Sequence, residues 1–395
     1  MQTGAEAFRK GGGIGLLVAL ILAAGCQSLR LPRSTTMDGS DWPTGGGSAE
    51  RRHATEHRIP APLEQTWDYD AQAGFGTSAA ALLSETVLVA TRQGEVHAID
   101  LASGDDRGSD EFGEAVESAP AVDRRRLYVP VAWEEDPLVA HDLRTGRSHW
   151  EVEDAAPVPG SPLLVQDRVV VAHERGALAA YEARTGRCQW RDAPDSAVTV
   201  RTSPVRSASR VLVADVAGRL RAISAKTGER RWTRRLGAPV YETPAAYDDL
   251  FFVPTTRGRL LALDARSGRT RWQFRVDSAA APVRLTSPAI DDSLVVVAGS
   301  DGTVRGLHPA TGAVRWTFDA HEAVAAPPLL TPEHVFVGTM GAMLFAVDRE
   351  TGEQVWSHET EGRVRSMMPA GEGRLVVMTE PHEVRLFTSE EAGED

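Results

Sequence analysis

From Pro62 to about Thr388 the apolar positions fall into two kinds of short segment, and neither has the 3.6-residue spacing of a helix face. "RVVVAHE", "RVLVADV", "SLVVVAGS" and "HVFVGTM" are β-branched runs, whereas "EVHAID", "RLLALD" and "MLFAVD" alternate with period two. Both predict strands. Each alternating segment runs into a Thr/Ser-Gly turn, and the turn glycines Gly104, Gly146, Gly186, Gly228, Gly268, Gly312 and Gly352 are separated by 42, 40, 42, 40, 44 and 40 residues. Four residues after the turn stand Trp150, Trp190, Trp232, Trp272, Trp316 and Trp356, while the first unit has Gly108 in that slot. Four residues before it stand Asp100, Asp142, Asp264 and Asp348, with Glu182, Ser224 and His308 in the other units. Further upstream a second glycine (Gly94, Gly176, Gly218, Gly258, Gly302) and a proline (Pro162, Pro204, Pro244, Pro288, Pro328) recur in register.

Each unit therefore reads as a Pro-led strand, a turn, a strand, a Gly turn, a strand, a Thr-Gly turn and a Trp-bearing strand. Four antiparallel strands in about 41 residues make a propeller blade. The last unit, Met367 to Thr388, stops before any Trp strand, while "LEQTWDYD" near the start supplies Trp67 on a strand without a blade. Pairing the two completes an eighth blade. The expected fold is thus all-β, one eight-bladed propeller of four-stranded antiparallel blades over residues 62–390, closed by the Trp67 strand with no free edge. In such a ring the turn glycines supply positive φ, the aspartates accept amide hydrogens inside the turn, and the tryptophans fill the gaps between blades. All three columns are expected to be structural.

The first 61 residues have a different character. Arg9 and Lys10 precede an apolar run, Ile14 to Ala24, of the length of a secretory h-region. It ends in "LAAGC", which resembles a bacterial lipobox and implies cleavage after residue 25 and lipid on Cys26; the departure is Ala23, with Leu22 one place early. Gln27, by the same resemblance, permits an outer-membrane destination. Residues 26–61 are rich in Gly, Ser, Arg and Thr, including "TGGGSAERR", and are expected to be a flexible tether. Loss of residues 1–25 removes Glu6, Arg9 and Lys10, so a net charge of −12 becomes −13 and nucleic acid is a poor partner. With Cys26 lipidated, Cys188 is left without a disulfide partner, and a packing role is expected for it.

The pattern L-x-A-x-D-x-x-T-G-x-x-x-W resembles the pyrroloquinoline quinone type repeat across nearly the whole mature chain. With the lipoprotein signal and eight blades, the chain is similar to the BamB-like family of outer-membrane assembly lipoproteins. That resemblance implies a lipid-anchored, non-catalytic scaffold on the periplasmic face of the outer membrane. It would act as a monomer within a complex whose partner is an envelope protein such as the barrel-assembly subunit. It implies no cofactor. The same repeat also builds quinoprotein dehydrogenases, but their adjacent cysteines are impossible here and units of 40 to 44 residues leave no room for their long insertions. A ligand-binding or sensory propeller, taking a quinone or a carbohydrate in the central channel, is the alternative.

Three local motifs remain. "HATEH", His53 to His57, matches a zinc-peptidase string but lies in the polar tether, and no metal-ligand spacing emerges elsewhere. "WEEDP", Trp133 to Pro137, replaces an inner Gly turn with an acidic loop. In the BamB-like family an apolar-x-apolar-Arg stretch is associated with docking; its nearest counterpart is Val198, Val200 and Arg201, with similar stretches at Arg284 and Arg365.

Overall fold

The computed structural model describes residues 28–31, 35, 37, 40–132, 137–153, 156–194, 196, 198–276 and 282–390. Residues 1–25, expected to be a signal peptide, Cys26 and residues 133–136 of the acidic loop lie outside these. The described residues form eight four-stranded antiparallel sheets, numbered here as blades 1 to 8 in chain order. Blade 1 comprises Phe75–Leu83, Thr86–Thr91, Glu95–Asp100 and Asp106–Glu111. In blade 8 the strands Val364–Pro369, Arg374–Thr379 and Glu383–Ser389 are completed by Leu63–Asp70, which pairs antiparallel with Glu383–Ser389 and closes the ring.

The columns of the repeat have one geometric cause. Each Trp sits opposite a small residue of the third strand: Trp150 faces Ala140, Trp190 faces Ala180, Trp232 faces Ala222, Trp272 faces Ala262, Trp316 faces Gly306 and Trp356 faces Ala346. The small partner leaves room for the indole to lie over the sheet, and a Cβ on Gly306 would come within 2.2 Å of the Trp316 ring. A bulge at the residue before each Trp turns the indole toward the following blade. There it meets the turn glycine, whose missing Cβ would lie 2.8 to 2.9 Å from the ring at Gly186 and Gly268. The glycine column thus serves twice, for positive φ (71° at Gly186, 69° at Gly268) and for contact with the preceding tryptophan.

The indole nitrogen adds a directed bond. Trp67, Trp150, Trp190, Trp232, Trp272 and Trp316 donate to the carbonyls of Leu101, Ala183, Ala225, Ala265, Pro309 and Arg349, in each case the residue after the Asp position of the next blade. Trp356 has no such turn to meet in blade 8; it stacks on His358 and meets Phe387 edge to face.

Blade 1 lacks its Trp, and the N-terminal segment stands in for it. Leu29, fully buried, and Leu31 fill the seam between blades 1 and 2. The amide of Leu31 donates to Leu143 at 2.8 Å, and Leu143 is the carbonyl in the position that elsewhere receives an indole N–H. Ser28 donates to the Gly146 carbonyl at 2.9 Å, and Ser28 and Arg30 occupy the space beside Gly146 that other turn glycines share with an indole.

Residues 41–58 correct the expectation of a flexible tether. They circle the axis and bond to each blade in chain order, as a strap across one face. Trp42 pairs with Leu82 of blade 1. The carbonyl of Pro43 accepts from Val122 of blade 2, and the Thr44 hydroxyl donates to Pro162 of blade 3. Carbonyls of Ala49, Glu50, Arg52, His53 and Arg58 then accept from Arg206, Ala246, Ile290, Leu330 and Gly373 of blades 4 to 8. The glycines read as linker are packing devices, since a Cβ on Gly47 would lie 2.5 Å from the Trp42 ring. A polar composition concealed the strap because its bonds go to backbone groups rather than to an apolar core.

Candidate interaction face and central channel

The strap lies on the face that carries the Thr-Gly turns. The opposite face carries the inner Gly turns and the links between blades, and it opens into a cavity of about 210 Å³ whose floor is the strap. Arg51 and His53 form that floor. Arg51 is almost wholly enclosed and donates to the Thr44 hydroxyl at 2.7 Å, to Ser161 and Pro162 at 2.8 Å each, and to Gly45. Burial lowers its pKa to about 9, against the pull of Glu50, so it stays charged at neutral pH. His53 is pushed down to about 3, first by burial and then by the charge of Arg51, and is neutral. The two histidines of "HATEH" are not neighbours in function, for His57 lies outside the channel at 3.0 Å from Glu372.

The walls are hydroxyls from six successive blades, Ser78, Ser118, Ser161, Ser203, Thr243 and Ser287, supplied at or near the residue before the repeat proline. Two of them clamp neighbouring blades: Ser203 accepts from the Ser161 amide at 3.0 Å and Thr243 from the Ser203 amide at 3.1 Å. The Ser118 hydroxyl is buried without a partner among the described residues. Around the mouth stand Arg92, Glu117, Arg201, Tyr241 and Glu242.

The three stretches that compete in sequence as docking motifs come to this same mouth. Arg201 pairs with Glu174 at 2.7 Å and keeps about a third of its side chain exposed. Arg284 lies over the Tyr241 ring, 5.8 Å from its centroid, and 3.5 Å from Glu242. Arg365 pairs with Glu380 at 3.2 Å and acts electrostatically on Glu242 and Arg92. Desolvation raises the Glu242 carboxyl pKa against the pull of Arg284 and Arg365. Tyr241 is 45% exposed, one of few large apolar side chains so placed among the described residues. Val200, in contrast, is fully buried in the core between blades 3 and 4, and Val198 packs against Gly176 of an inner turn. Only the arginine of that trio is offered to solvent as a polar group at the mouth. Sequence reasoning missed Tyr241, Glu242, Arg92 and Ser118; their signal was position, three residues or fewer before a repeat proline for three of them, rather than any motif. Cys188 is exposed rather than packed, its Sγ 3.6 Å from the Trp190 carbonyl.

Comparison with known proteins follows the fold closely. No curated protein sequence matches the chain. The crystal structure of BamB from Moraxella catarrhalis superposes with a TM-score of 0.68 at 20% identity, covering 84% of this chain and 98% of that one. The quinohemoprotein alcohol dehydrogenase of Comamonas testosteroni superposes with a TM-score of 0.72 at 15% identity, covering 88% and 80%. The computationally designed Ika8 protein gives 0.69 at 15%, covering 85% and 100%. At these identities the structures share the propeller and nothing finer. The family described as outer membrane protein assembly factor BamB matches residues 64–198, 174–319 and 300–394, the whole of the propeller, and the chain belongs to that family.

Proposed function

We propose that the protein is a non-catalytic scaffold, lipid-anchored through Cys26 on the periplasmic face of the outer membrane, that docks an envelope protein in β-barrel assembly. The observation that carries this reading is the mouth patch: an exposed tyrosine beneath an arginine, with Arg201 and Arg365 beside it, on the face opposite the strap. Exposed aromatic and arginine side chains in one patch are the residues that dominate protein interfaces. Membership of the family described as outer membrane protein assembly factor BamB supports the choice of barrel assembly for this reading.

The donor set of the channel fits a quinone and calcium pair poorly. The floor presents a guanidinium and a neutral imidazole where a divalent cation would need clustered carboxylate oxygens. Among the described residues, the one group of His and carboxylate ligand atoms close enough for a metal is Asp70, His382 and Glu383, outside the channel. The test of the scaffold is crosslinking in cells, detergent extraction and identification of partners by mass spectrometry, with Arg201→Glu and Tyr241→Ala alongside. Recovery of the barrel-assembly subunit with the unaltered chain, and its loss with both variants, is expected; enrichment of no envelope protein sinks the proposal.

A second reading, a small polar ligand such as a carbohydrate held in the channel, draws on the unpartnered Ser118 hydroxyl and the ring of hydroxyls around it. Calorimetric titration of the purified protein with monosaccharides tests it, and Ser118→Ala should abolish any heat observed.

A further inference from the structure

The strap face has a charge pattern that the repeat does not explain. Its first-hairpin turns are acidic or neutral in seven blades: Glu85, Asp167, Asp248 and Asp249, Asp291 and Asp292, Glu333 and Glu372, with Ala208 and Ser209 in blade 4. In blade 2 the same turn follows its Asp123 with Arg124 and Arg125, and the neighbouring Thr-Gly turn adds Arg144 and Arg147. All four are exposed, as is Arg30 beside Gly146. Arg124, Arg125 and Arg144, with Arg126, Leu31, Thr35, Leu143 and the carboxylate of Asp142, line a shallow cavity of about 530 Å³. No carboxylate ion pair holds any of these arginines among the described residues, and the buried Nε of Arg126 lacks a hydrogen-bond partner there. Asp123 and Asp142 lie among them, their oxygens engaged by turn amides and the Tyr128 hydroxyl, so on a chain of net charge −12 the cluster still carries an excess of positive charge.

Its place in the chain is the second observation. The N-terminal segment docks in the seam between blades 1 and 2, beside this cluster, and Ser28 is the point at which it leaves the described structure. Cys26 precedes Ser28 by two residues, at most about 7 Å of extended chain. The apolar run ends only four residues before Ser28. Whatever holds the N-terminus to a bilayer therefore holds the blade 2 edge against its surface.

We propose that Arg30, Arg124, Arg125, Arg144 and Arg147 form a membrane-docking patch for the phosphates of anionic lipid headgroups, which fixes the ring edge-down at blade 2 and prevents it from swinging on a tether. The proposal rests on the anchoring part of the function proposed above. It differs in kind from the mouth, which recognises protein. Each arginine at an anionic surface is worth about a fivefold gain in the docking equilibrium. Screening by salt weakens all of them together.

The experiment uses the full chain reconstituted on vesicles of phosphatidylcholine alone and of phosphatidylcholine with phosphatidylglycerol. Flotation with neutral vesicles reports the anchor by itself. The rate of modification of each arginine by a neutral dicarbonyl reagent, read by mass spectrometry, reports the patch, with Arg266 and Arg269 in the equivalent turn of blade 5 as internal controls. Slowing of Arg124, Arg125 and Arg144 by about tenfold or more on anionic vesicles, reversed by high salt and absent at Arg266 and Arg269, is the expected result. In Arg124→Gln/Arg125→Gln/Arg144→Gln the protection of Arg30 and Arg147 should fall by about a hundredfold in the underlying equilibrium. Equal rates on both vesicles, or equal protection of patch and control arginines, overturn the patch while leaving the anchor intact. Failure to float on neutral vesicles overturns the anchor, and the patch with it.

Discussion

Replacing Leu29 with Ala tests whether four N-terminal residues do the work of the missing tryptophan. The Leu29 side chain is fully buried between blades 1 and 2, and truncating such a leucine to alanine costs about 2 to 5 kcal/mol when the surroundings stay in place. Here they need not stay in place. The segment is held by the Leu31 amide on Leu143, the Ser28 hydroxyl on Gly146, the Leu29 amide on Asp110 and the Leu29 carbonyl against the His141 ring at 3.0 Å, and it can peel from the rim without opening the ring. Four hydrogen bonds at about 1 kcal/mol each, together with two leucines and less the entropy of ordering four residues, set the free energy of docking at a few kcal/mol. The loss in Leu29→Ala is capped by that figure. Trp272→Ala has no such escape, because the indole belongs to a strand paired along its length, and about 3 to 5 kcal/mol should fall on global stability. Amide hydrogen exchange and urea unfolding on the same samples separate the cases. In Leu29→Ala, exchange at Leu31 should quicken by a factor of ten or more while the urea midpoint moves little. Trp272→Ala should lower the midpoint. Unchanged exchange at Leu31, or a midpoint shift in Leu29→Ala as large as in Trp272→Ala, would refute the substitution of segment for indole.

Gly306→Ala, whose Cβ would meet the Trp316 ring, should cost about 1 to 3 kcal/mol by denaturant unfolding, whereas Ala262→Gly at the equivalent place in blade 5 should cost about 1 kcal/mol. Hydrogen bonds from the hydroxyl and amide of Ser267, and from Arg271, hold the Asp264 carboxyl at about 2, so its folded pKa is depressed. Its stabilising share is present above the unfolded carboxylate range and lost as pH falls toward 2; Asp264→Asn should be less stable at pH 7 and converge with the unaltered protein near pH 2. His53 is a base held neutral, which the unfolded chain protonates first, so stability should fall as pH drops from about 6.5 toward 3, and His53→Gln should flatten that slope in acid unfolding curves.

The fold was legible because the repeat records every geometric demand in residue type: Gly where φ is positive, Trp where blades gap, and Ala where the indole must pass. Trp67 declared its orphan strand by the same code, and the strand pairs with Glu383–Ser389 as the columns require. The failed slot at Gly108 was equally visible, yet nothing in "SLRL" announces that its leucines fill it, since the segment is short, lacks period and lies some 80 residues away. The strap was invisible for a related reason. Periodicity detects side chains buried on one face, but the strap is held by carbonyls and by glycines packed against Trp42. The mouth was half legible: Arg201, Arg284 and Arg365 look alike in sequence, and only ring closure brings alternatives together as neighbours.

The strap also makes the two faces of this propeller unequal. A bare ring presents a channel open at both ends and two faces of similar loops. Here one face has its inner backbone donors and acceptors satisfied blade by blade, and Arg51 bridges the strap carbonyl of Gly45, those of Ser161 and Pro162 in blade 3 and that of Pro204 in blade 4. Unpaired hydrogen-bonding groups are what an incoming strand would need, and on that face the strap has already met them. The exposed Tyr241 and the arginines beside it lie at the opposite mouth. On the proposed reading, a membrane edge at blade 2, a sealed face and an open face would orient the scaffold before any partner arrives.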